Sequence, residues 1–472
     1  MRDKGLPKNG LTLHRYWDMK KTSELAEVDV GRLMVKYFVP AFIGVFVNAL
    51  YNIVDRIFIG QAVGAEALSG ISVIFPVMLI MMGFGMLIGI GAGVLVSINL
   101  GRRNHERAEQ TLGTGFLLMI LVSLLIMIIG FSIKTPMLRS FGATETTLQY
   151  ANDYLDIILL GVVFQVVGFS LNNIIRSEGN VKIAMYSMLI SAGTNLVLDP
   201  IFIFGLGMGV KGAAWATVIS MFVLAVYVFS HFRSQRSVIS LRRVNIRINY
   251  KIALEIMAIG MAPFAMQIAG SMVQGFLNKL LIQYGGDLAV GAMGIINSLA
   301  TLIVMTIVAI NMASQPIIGF NYGAKAPGRV KEALRYSLLA ATAISIGSFV
   351  IVQAIPGFLV KLFNRDSQEL YDLTISGIRI LLLSLPVIGF QVVAGHFFQS
   401  VGKAKIAMFL TLLRQVLVLL PLLLIMPGEF GLTGVWAAFP LSDTVSAMIV
   451  SIFLVREWRN LGKMETNADA SG

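Results

Sequence analysis

Two acids stand where acids are costly. Asp55 closes the stretch Tyr51-Asn-Ile-Val-Asp55 inside the first long apolar run, and Asp199 lies in Asn195-Leu-Val-Leu-Asp-Pro200 inside the fifth. A charged side chain at the bilayer centre costs about 2.5–3.5 kcal/mol on insertion scales, so each needs a partner or a job. Asn48, Asn52 and Asp55 recur at i, i+4 and i+7 and share one helical face. In lipid such a stripe must turn toward other protein or a water-filled cavity. Asn195 precedes Asp199 by four residues and shares its face. The first and fifth runs point the same way, with Asp55 and Asp199 each about five residues before an outer glycine, Gly60 and Gly205. The sixth run returns, with Thr217 about six residues inside it. A rise of about 1.5 Å per residue puts all three at similar depth. Two carboxylates, an amide oxygen and a hydroxyl at one level form an oxygen set for a small hard cation such as Na+. Neighbouring carboxylates in a low dielectric equally hold a shared proton. Two structural alternatives stand beside these: Asp55 pairing with Arg56 at the outer interface, and a satisfied hydrogen-bond network between helices.

The elements that must position these groups are membrane spans. The chain has 472 residues, is 56% hydrophobic and 13% charged, and has a mean hydropathy of +0.80, which excludes a soluble domain. Runs of about 20 or more apolar residues predict twelve spans: 33–59, 68–98, 112–133, 153–175, 183–204, 211–231, 253–283, 290–320, 334–355, 375–399, 406–426 and 433–455. The net charge of +12 does not point to nucleic acid, because the cations cluster in alternate loops. Gly101-Arg-Arg-Asn-His-Glu-Arg107, 176–182, 321–335 and Lys403 with Lys405 are basic, and 231–251 carries six cations and no acid. The intervening loops are short, glycine-rich and weakly charged. Basic loops face the cytoplasm, which places both termini there. The polar first 30 or so residues lack the apolar core and cleavage site of a signal peptide and read as a cytoplasmic tail.

The chain also repeats itself. A shift of 223 positions lays Arg176-Ser-Glu-Gly-Asn-Val-Lys-Ile-Ala-Met185 on Gln399-Ser-Val-Gly-Lys-Ala-Lys-Ile-Ala-Met408 and Asp55 on Asn278. Past the fifth span the offset drifts to 221, where Pro200 meets Pro421 and Trp215 meets Trp436. Two six-helix bundles follow, in the same orientation because six is even, with a substrate cavity expected between them. The expected divisions are a tail over 1–32, an N-lobe over 33–231, a basic linker over 232–252, a C-lobe over 253–455 and a tail over 456–472, to which no role is assigned. The fold class is all-α integral membrane, with 12 transmembrane helices in two pseudo-symmetric bundles. The second half has Asn278 and Leu420 where the first has Asp55 and Asp199. A purely structural role would have been needed in both halves.

Other polar groups are neutral or paired. Gln267, Ser271, Gln274 and Asn278 share a face of the seventh span, and Asn311 and Gln315 lie in the eighth. They either line a substrate cavity, with Asn48, Tyr51, Asn52 and Gln391, or tie helices together. Met78, Met81, Met82 and Met86 crowd the second span. Flexible thioethers there, Met78 and Met82 above all, suit either a promiscuous apolar surface or ordinary packing. Arg414 and Asp443 fall near mid-membrane and read as a mutually neutralising structural pair.

Several classes are excluded. With no cysteine, disulfides, thiolate metal sites and thiol catalysis drop out. No Gly-x4-Gly-Lys-Ser/Thr loop is present, so ATP is not the energy source within the chain. The four histidines are scattered, with no His-Glu-x-x-His pair and no Gly-x-Ser-x-Gly elbow, which speaks against an intramembrane hydrolase. A channel would normally need a ring of repeated pore-lining groups.

The combination of Pro40, Tyr51-Asn-Ile-Val-Asp55, Ala65-Glu-Ala-Leu68, Arg176-Ser-Glu-Gly179, Asn195-Leu-Val-Leu-Asp-Pro200 and Gly212-Ala-Ala-Trp-Ala-Thr217 resembles the MATE (multidrug and toxic compound extrusion) family. Within it the chain is similar to the DinF-like branch with its MepA-type exporters, over essentially all of 33–455. The resemblance implies the MATE/MOP transporter fold and no enzyme activity. It implies a secondary antiporter that exports amphipathic organic cations in exchange for H+ or Na+ by alternating access, without a cofactor or an ATPase subunit. The coupling site it implies is Asp55, Asn195, Asp199 and Thr217 with the carbonyl of Ala213, and Pro40 matches a proline associated with bending of the first helix. A monomer among the lipids of a bacterial cytoplasmic membrane is expected. The NorM branch carries acids in its C-lobe helices, whereas this chain has Gln267, Gln274, Asn278 and Gln391 there, so a C-lobe sodium site of that type is not expected. The alternative within the superfamily is a flippase for lipid-linked oligosaccharide. Flippases carry many cations in their cavity, and the mid-membrane Arg414 has an acidic partner.

Overall fold

A chain this apolar can satisfy its backbone polar groups in lipid only as helices or as a closed barrel. The computed structural model describes residues 24–63, 65–234, 236–363 and 367–469, and among them there is no strand. Ten stretches are long and apolar enough to cross a membrane. Two of these are too long to be one span. Tyr250–Gly323 has 74 residues and Ala404–Thr466 has 63, against the 20 or so that cover a bilayer core. Each is broken by a glycine in the left-handed region that side chains disfavour: Gly286 at φ 65° and Gly431 at φ 55°. Ten stretches with two breaks give the twelve crossings expected.

The first half runs α1 (Val30–Val63), α2 (Ala65–Gly101), α3 (His105–Ser140), α4 (Glu145–Ser177), α5 (Val181–Pro200) and α6 (Gly209–Arg233). The second begins with α7 (Tyr250–Gly323), the pair broken at Gly286, and continues with α8 (Pro327–Ala354) and the short α9 (Pro356–Lys361). It ends with α10 (Gln368–Leu381), α11 (Leu385–Ser400), α12 (Ala404–Leu412) and α13 (Leu420–Asp469). The repeat extends to the helix breakers, since Pro263 in α7 lies 223 positions after Pro40 in α1. In both halves the fifth crossing loosens into a π turn, Ile201–Gly205 after α5 and Leu413–Leu419 after α12. Such turns release backbone carbonyls and gather at functional positions.

The chain divides into two compact units. One runs through Gly260 and includes Gly319–Lys325; the other holds Met261–Ile318 and everything from Ala326 onward. In the first unit α4 packs along α2 and α6, and α1 lies against α5. Glycine permits the closest crossings. A Cβ on Gly101 would strike the carbonyl of Phe320, and one on Gly323 would strike that of Ile98. In the second unit Leu277, Leu281, Ile296, Leu382, Leu385, Leu423 and Trp436 form a shared apolar core.

The basic segment 232–252 differs from a free linker. The Glu178 carboxylate, at the end of α4, is fully buried and gathers the segment's start. It accepts from Ser237 Oγ at 2.8 Å, Val238 N at 3.1 Å and Ile239 N at 3.4 Å. It also accepts from Asn180 Nδ2 at 2.6 Å and meets His231 Nε2 at 2.5 Å. Glu109 of α3 accepts from Ser240 N at 3.2 Å and Asn245 Nδ2 at 3.4 Å, and pairs with Arg242 at 3.2 Å. Thr114 donates to the carbonyl of Arg247 at 3.1 Å. The segment is thus part of the first unit, whose boundary falls at Gly260. Arg176, counted above among loop cations, ends α4 instead and is buried, donating to Asn172 and Asn173. The C-terminal stretch is not a loose tail either. α13 continues to Asp469, with Glu465 paired to Lys331 at 2.7 Å and the buried Glu457 to Lys403 at 2.5 Å. Residues 1–23 and 470–472 of the two tails lie outside the described residues.

Glu178→Ala takes the carboxylate acceptor from the buried His231 imidazole, the Asn180 side-chain amide and the Val238 and Ile239 N–H groups, while Ser237 keeps its bond to the carbonyl of Ile239. It should lower unfolding stability by about 2–3 kcal/mol, read as a drop in the thermal midpoint of the detergent-purified chain. An unchanged midpoint would refute the anchoring role.

Candidate functional site

The oxygen-rich level predicted in the first half is assembled by four helices. The local sequence of α5 explains how. Pro200 follows Asp199 directly and has no N–H to give to the carbonyl four residues back, so α5 stops there and the π turn Ile201–Gly205 takes over. Gly207 and Gly209 adopt φ of 64° and 54°, turning the chain back into α6. Gly212 then packs on the backbone of Phe202, where a Cβ would sit 2.8 Å from the carbonyl carbon. This close approach brings the Ala213–Thr217 face of α6 against Asn195 and Asp199.

All three polar side chains are buried. Asn195 Nδ2 donates to Asp199 Oδ1 at 3.2 Å and reaches Thr217 Oγ1 at 3.5 Å. The Asp55 carboxyl of α1 lies within hydrogen-bonding reach of Asp199. Two ionised carboxylates can only accept, and Asp199 Oδ2 accordingly has no donor among the described residues, nor has Asn195 Oδ1. Two buried acceptor oxygens beside a second carboxylate suit a proton or a small cation held between them. Ala213 is fully buried one turn before Thr217. Its carbonyl is the i−4 acceptor for the Thr217 N–H in the helix, which makes it the least available oxygen of the predicted set.

Tyr154 was not found from the sequence. It sits in α4, fully buried, with its hydroxyl near Thr217 and close to Asp55, Tyr51 and Asp199. A tyrosine in an apolar span is ordinary; only the α4–α6 contact shows that its hydroxyl closes the site. Its neighbour Asp153 pairs with Lys211 of α6 at 3.4 Å.

The remaining predicted residues do not form one group. On α1 Asn48 is exposed and Tyr51 half-buried, and the side chain of Asn52 lies outside the described residues. Met78, Met82 and Met86 are half-buried on one face of α2, whereas Met81 is buried in the core. In the second unit Gln274 donates to Asn278 at 3.2 Å, both exposed, with Gln267 half-buried. Asn311 and Gln391 are buried, and neither side-chain carbonyl meets a donor among the described residues. Beside Asn278 stands Lys279, exposed and passed over in the sequence, at the position equivalent to Arg56. The repeat therefore keeps the cation and exchanges the acid for an amide. Arg414 and Asp443 do meet, Nε to Oδ1 at 2.6 Å.

Twelve apolar crossings in two repeated halves, with the half-buried Asp55 beside the buried Asp199 in one of them, define a polytopic membrane transporter. The chain matches the MatE family over residues 40–201 and 251–425. It is 28% identical to the multidrug export protein MepA of Staphylococcus aureus (strain MRSA252), over 91% of this chain and 94% of that protein. Among solved structures, it aligns with a ligand complex of the MATE multidrug transporter DinF-BH at 40% identity and a TM-score of 0.86, covering 91% of this chain and 96% of that one. An outward-facing multidrug resistance transporter of the MOP superfamily aligns at 26% identity and a TM-score of 0.88, covering 93% and 98%. The chain belongs to the MATE family, and is a multi-pass membrane transporter rather than an enzyme.

Tyr154→Phe removes the hydroxyl near Thr217 and nothing else. If the hydroxyl bonds Thr217, the purified chain should lose about 0.5–1.5 kcal/mol of stability, read in thermal unfolding; a change absent from Tyr154→Phe made on Thr217→Val would assign that loss to the Tyr154–Thr217 contact.

Proposed function

We propose that this chain is a multidrug exporter that moves amphipathic organic cations out of a bacterial cell in exchange for H+ or Na+. The observation that carries the reading is the adjoining pair Asp55 and Asp199, with buried acceptor oxygens at Asp199 and Asn195, in one half of a repeat whose other half has Asn278 and Leu420. The names of the relatives, a multidrug export protein and a ligand-bound multidrug transporter, support the substrate class.

In this reading the ion is a co-substrate. It enters from outside, settles between the two carboxyls and removes one of their two negative charges. Asn195 and Thr217 complete the oxygen set, and the Tyr154 hydroxyl orients Thr217. Pro40 leaves the carbonyl of Lys36 without its helical donor, so α1 repacks at low cost when Asp55 changes partner. Repacking disfavours the outward-open, drug-bound form, and the drug leaves; the ion departs to the cytoplasm when the inward-open form follows. The ion shifts this equilibrium only by the difference in its affinity for the two forms. Both termini lie in the cytoplasm of the same membrane, and the transporter works as a monomer with no ATPase subunit.

Proteoliposomes loaded with ethidium test the exchange under an imposed pH gradient and then an imposed sodium gradient. Efflux driven by one ion names it. Asp55→Asn and Asp199→Asn should each reduce driven efflux at least about a hundredfold, since about 3 kcal/mol or more of ion binding is removed. Full efflux in both variants would overturn the mechanism. Folded protein that moves no dye under either gradient would point to the lipid-linked oligosaccharide flippase.

A further inference from the structure

The second half has an ionic pair of its own, and its geometry is lopsided. Asp443 of α13 is buried and fully served: Oδ1 accepts from Arg414 Nε at 2.6 Å and Oδ2 from Ser384 Oγ at 2.6 Å. Arg414 is not. Only its inner nitrogen enters the pair, its side chain is 34% exposed against 4% for Asp443, and its two terminal nitrogens have no partner among the described residues. A guanidinium carries five N–H donors in a planar fork, of which four belong to those terminal nitrogens. The fork therefore presents its positive end away from Asp443.

The backbone holds it there. Arg414 lies in the π turn Leu413–Leu419, and its carbonyl accepts from Ser442 Oγ at 2.8 Å. Ser442 and Asp443 thus grip both ends of one residue. The next residue, Gln415, lies against Gly270 of α7, and its side-chain carbonyl is buried without a donor among the described residues. No counterpart exists in the first half, where the 221-residue shift brings Arg414 onto Gly193 and Asp443 onto Phe222.

Depth selects the ligand. Arg414 stands ten residues into the crossing that starts at Ala404, about 15 Å along the helix and half-way through a core of about 30 Å. A lipid headgroup does not reach that level. An open guanidinium fork at mid-membrane is costly facing hydrocarbon; it suits a planar anion that enters with an apolar body. We propose that Arg414 is a carboxylate-binding subsite, a specificity-determining residue for amphipathic cargo that carries such a group. The carboxylate sits on the two terminal nitrogens in the bidentate mode that guanidinium favours, while Asp443 keeps Nε and holds the fork in place. The assignment relies on the export reading for the amphipathic body of the ligand.

Two dyes isolate the carboxylate: the ethyl ester of a cationic rhodamine, and the free acid of the same rhodamine. Their affinities for the full chain in nanodiscs are read by fluorescence polarisation with no ion gradient, so failure of antiport leaves the readout intact. In the double variant Arg414→Gln/Asp443→Asn, which buries no unpaired charge, the ratio of free-acid to ester affinity should fall about tenfold or more. Asp443→Asn alone should raise that ratio, because it removes the competing carboxylate. A ratio unchanged in both folded variants would overturn the subsite and leave the pair purely structural. Failure of the wild type to bind either dye would instead count against the export reading itself.

Discussion

A hydrogen-bonding group in hydrocarbon costs several kcal/mol unless the protein supplies its partner. That constraint makes every described span a helix, and it shows most clearly where the helices are imperfect. Ser442 donates to the carbonyl of Arg414 within the π turn at 413–419. After Pro200 the ladder resumes one step longer, with Leu206 N reaching the carbonyl of Ile201 at 2.8 Å. The buried carboxylate of Glu178 is met by five donors rather than left to water. Against that background, oxygens that remain without donors are informative. Asp199 Oδ2 and Asn195 Oδ1 sit beside a second carboxyl, where a mobile charge has reason to bind.

The two halves are built alike and charged differently. Pro40 and Pro263, Arg56 and Lys279, and the paired glycines Gly101 and Gly323 are retained across the repeat. The acids are not. The first half concentrates negative charge at Asp55 and Asp199, and the second pairs Asp443 with an arginine whose outer end is positive. A repeat that keeps its packing residues and varies its charged ones separates scaffold from chemistry within a single chain.

The segment joining the halves has a structural part of its own. Its cations look like a tether in the sequence, but Ser237, Val238, Ile239, Ser240 and Asn245 are all bound by Glu178 or Glu109. Two buried carboxylates on α3 and at the end of α4 hold it down, and the first unit ends inside α7, at Gly260.

Much of this was legible in the order of residues. Hydropathy alone determined twelve crossings, because about 20 apolar residues are needed for each and nothing else in the chain has that length. The 223-residue repeat and the i, i+4 spacing of Asn195 and Asp199 determined which acids share a level, since helical rise is fixed. What only the tertiary structure decided was contact between helices distant in sequence. It brought Tyr154 onto Thr217, set Asp55 beside Asp199, and aimed the Arg414 fork away from Asp443. It also buried Arg176 and turned a basic loop into part of the first unit. Periodicity reports which way a side chain faces on its own helix. Which atom it meets depends on how closely two helices approach, and that distance is set by small residues such as Gly212 packing on Phe202, a pairing that no local pattern encodes.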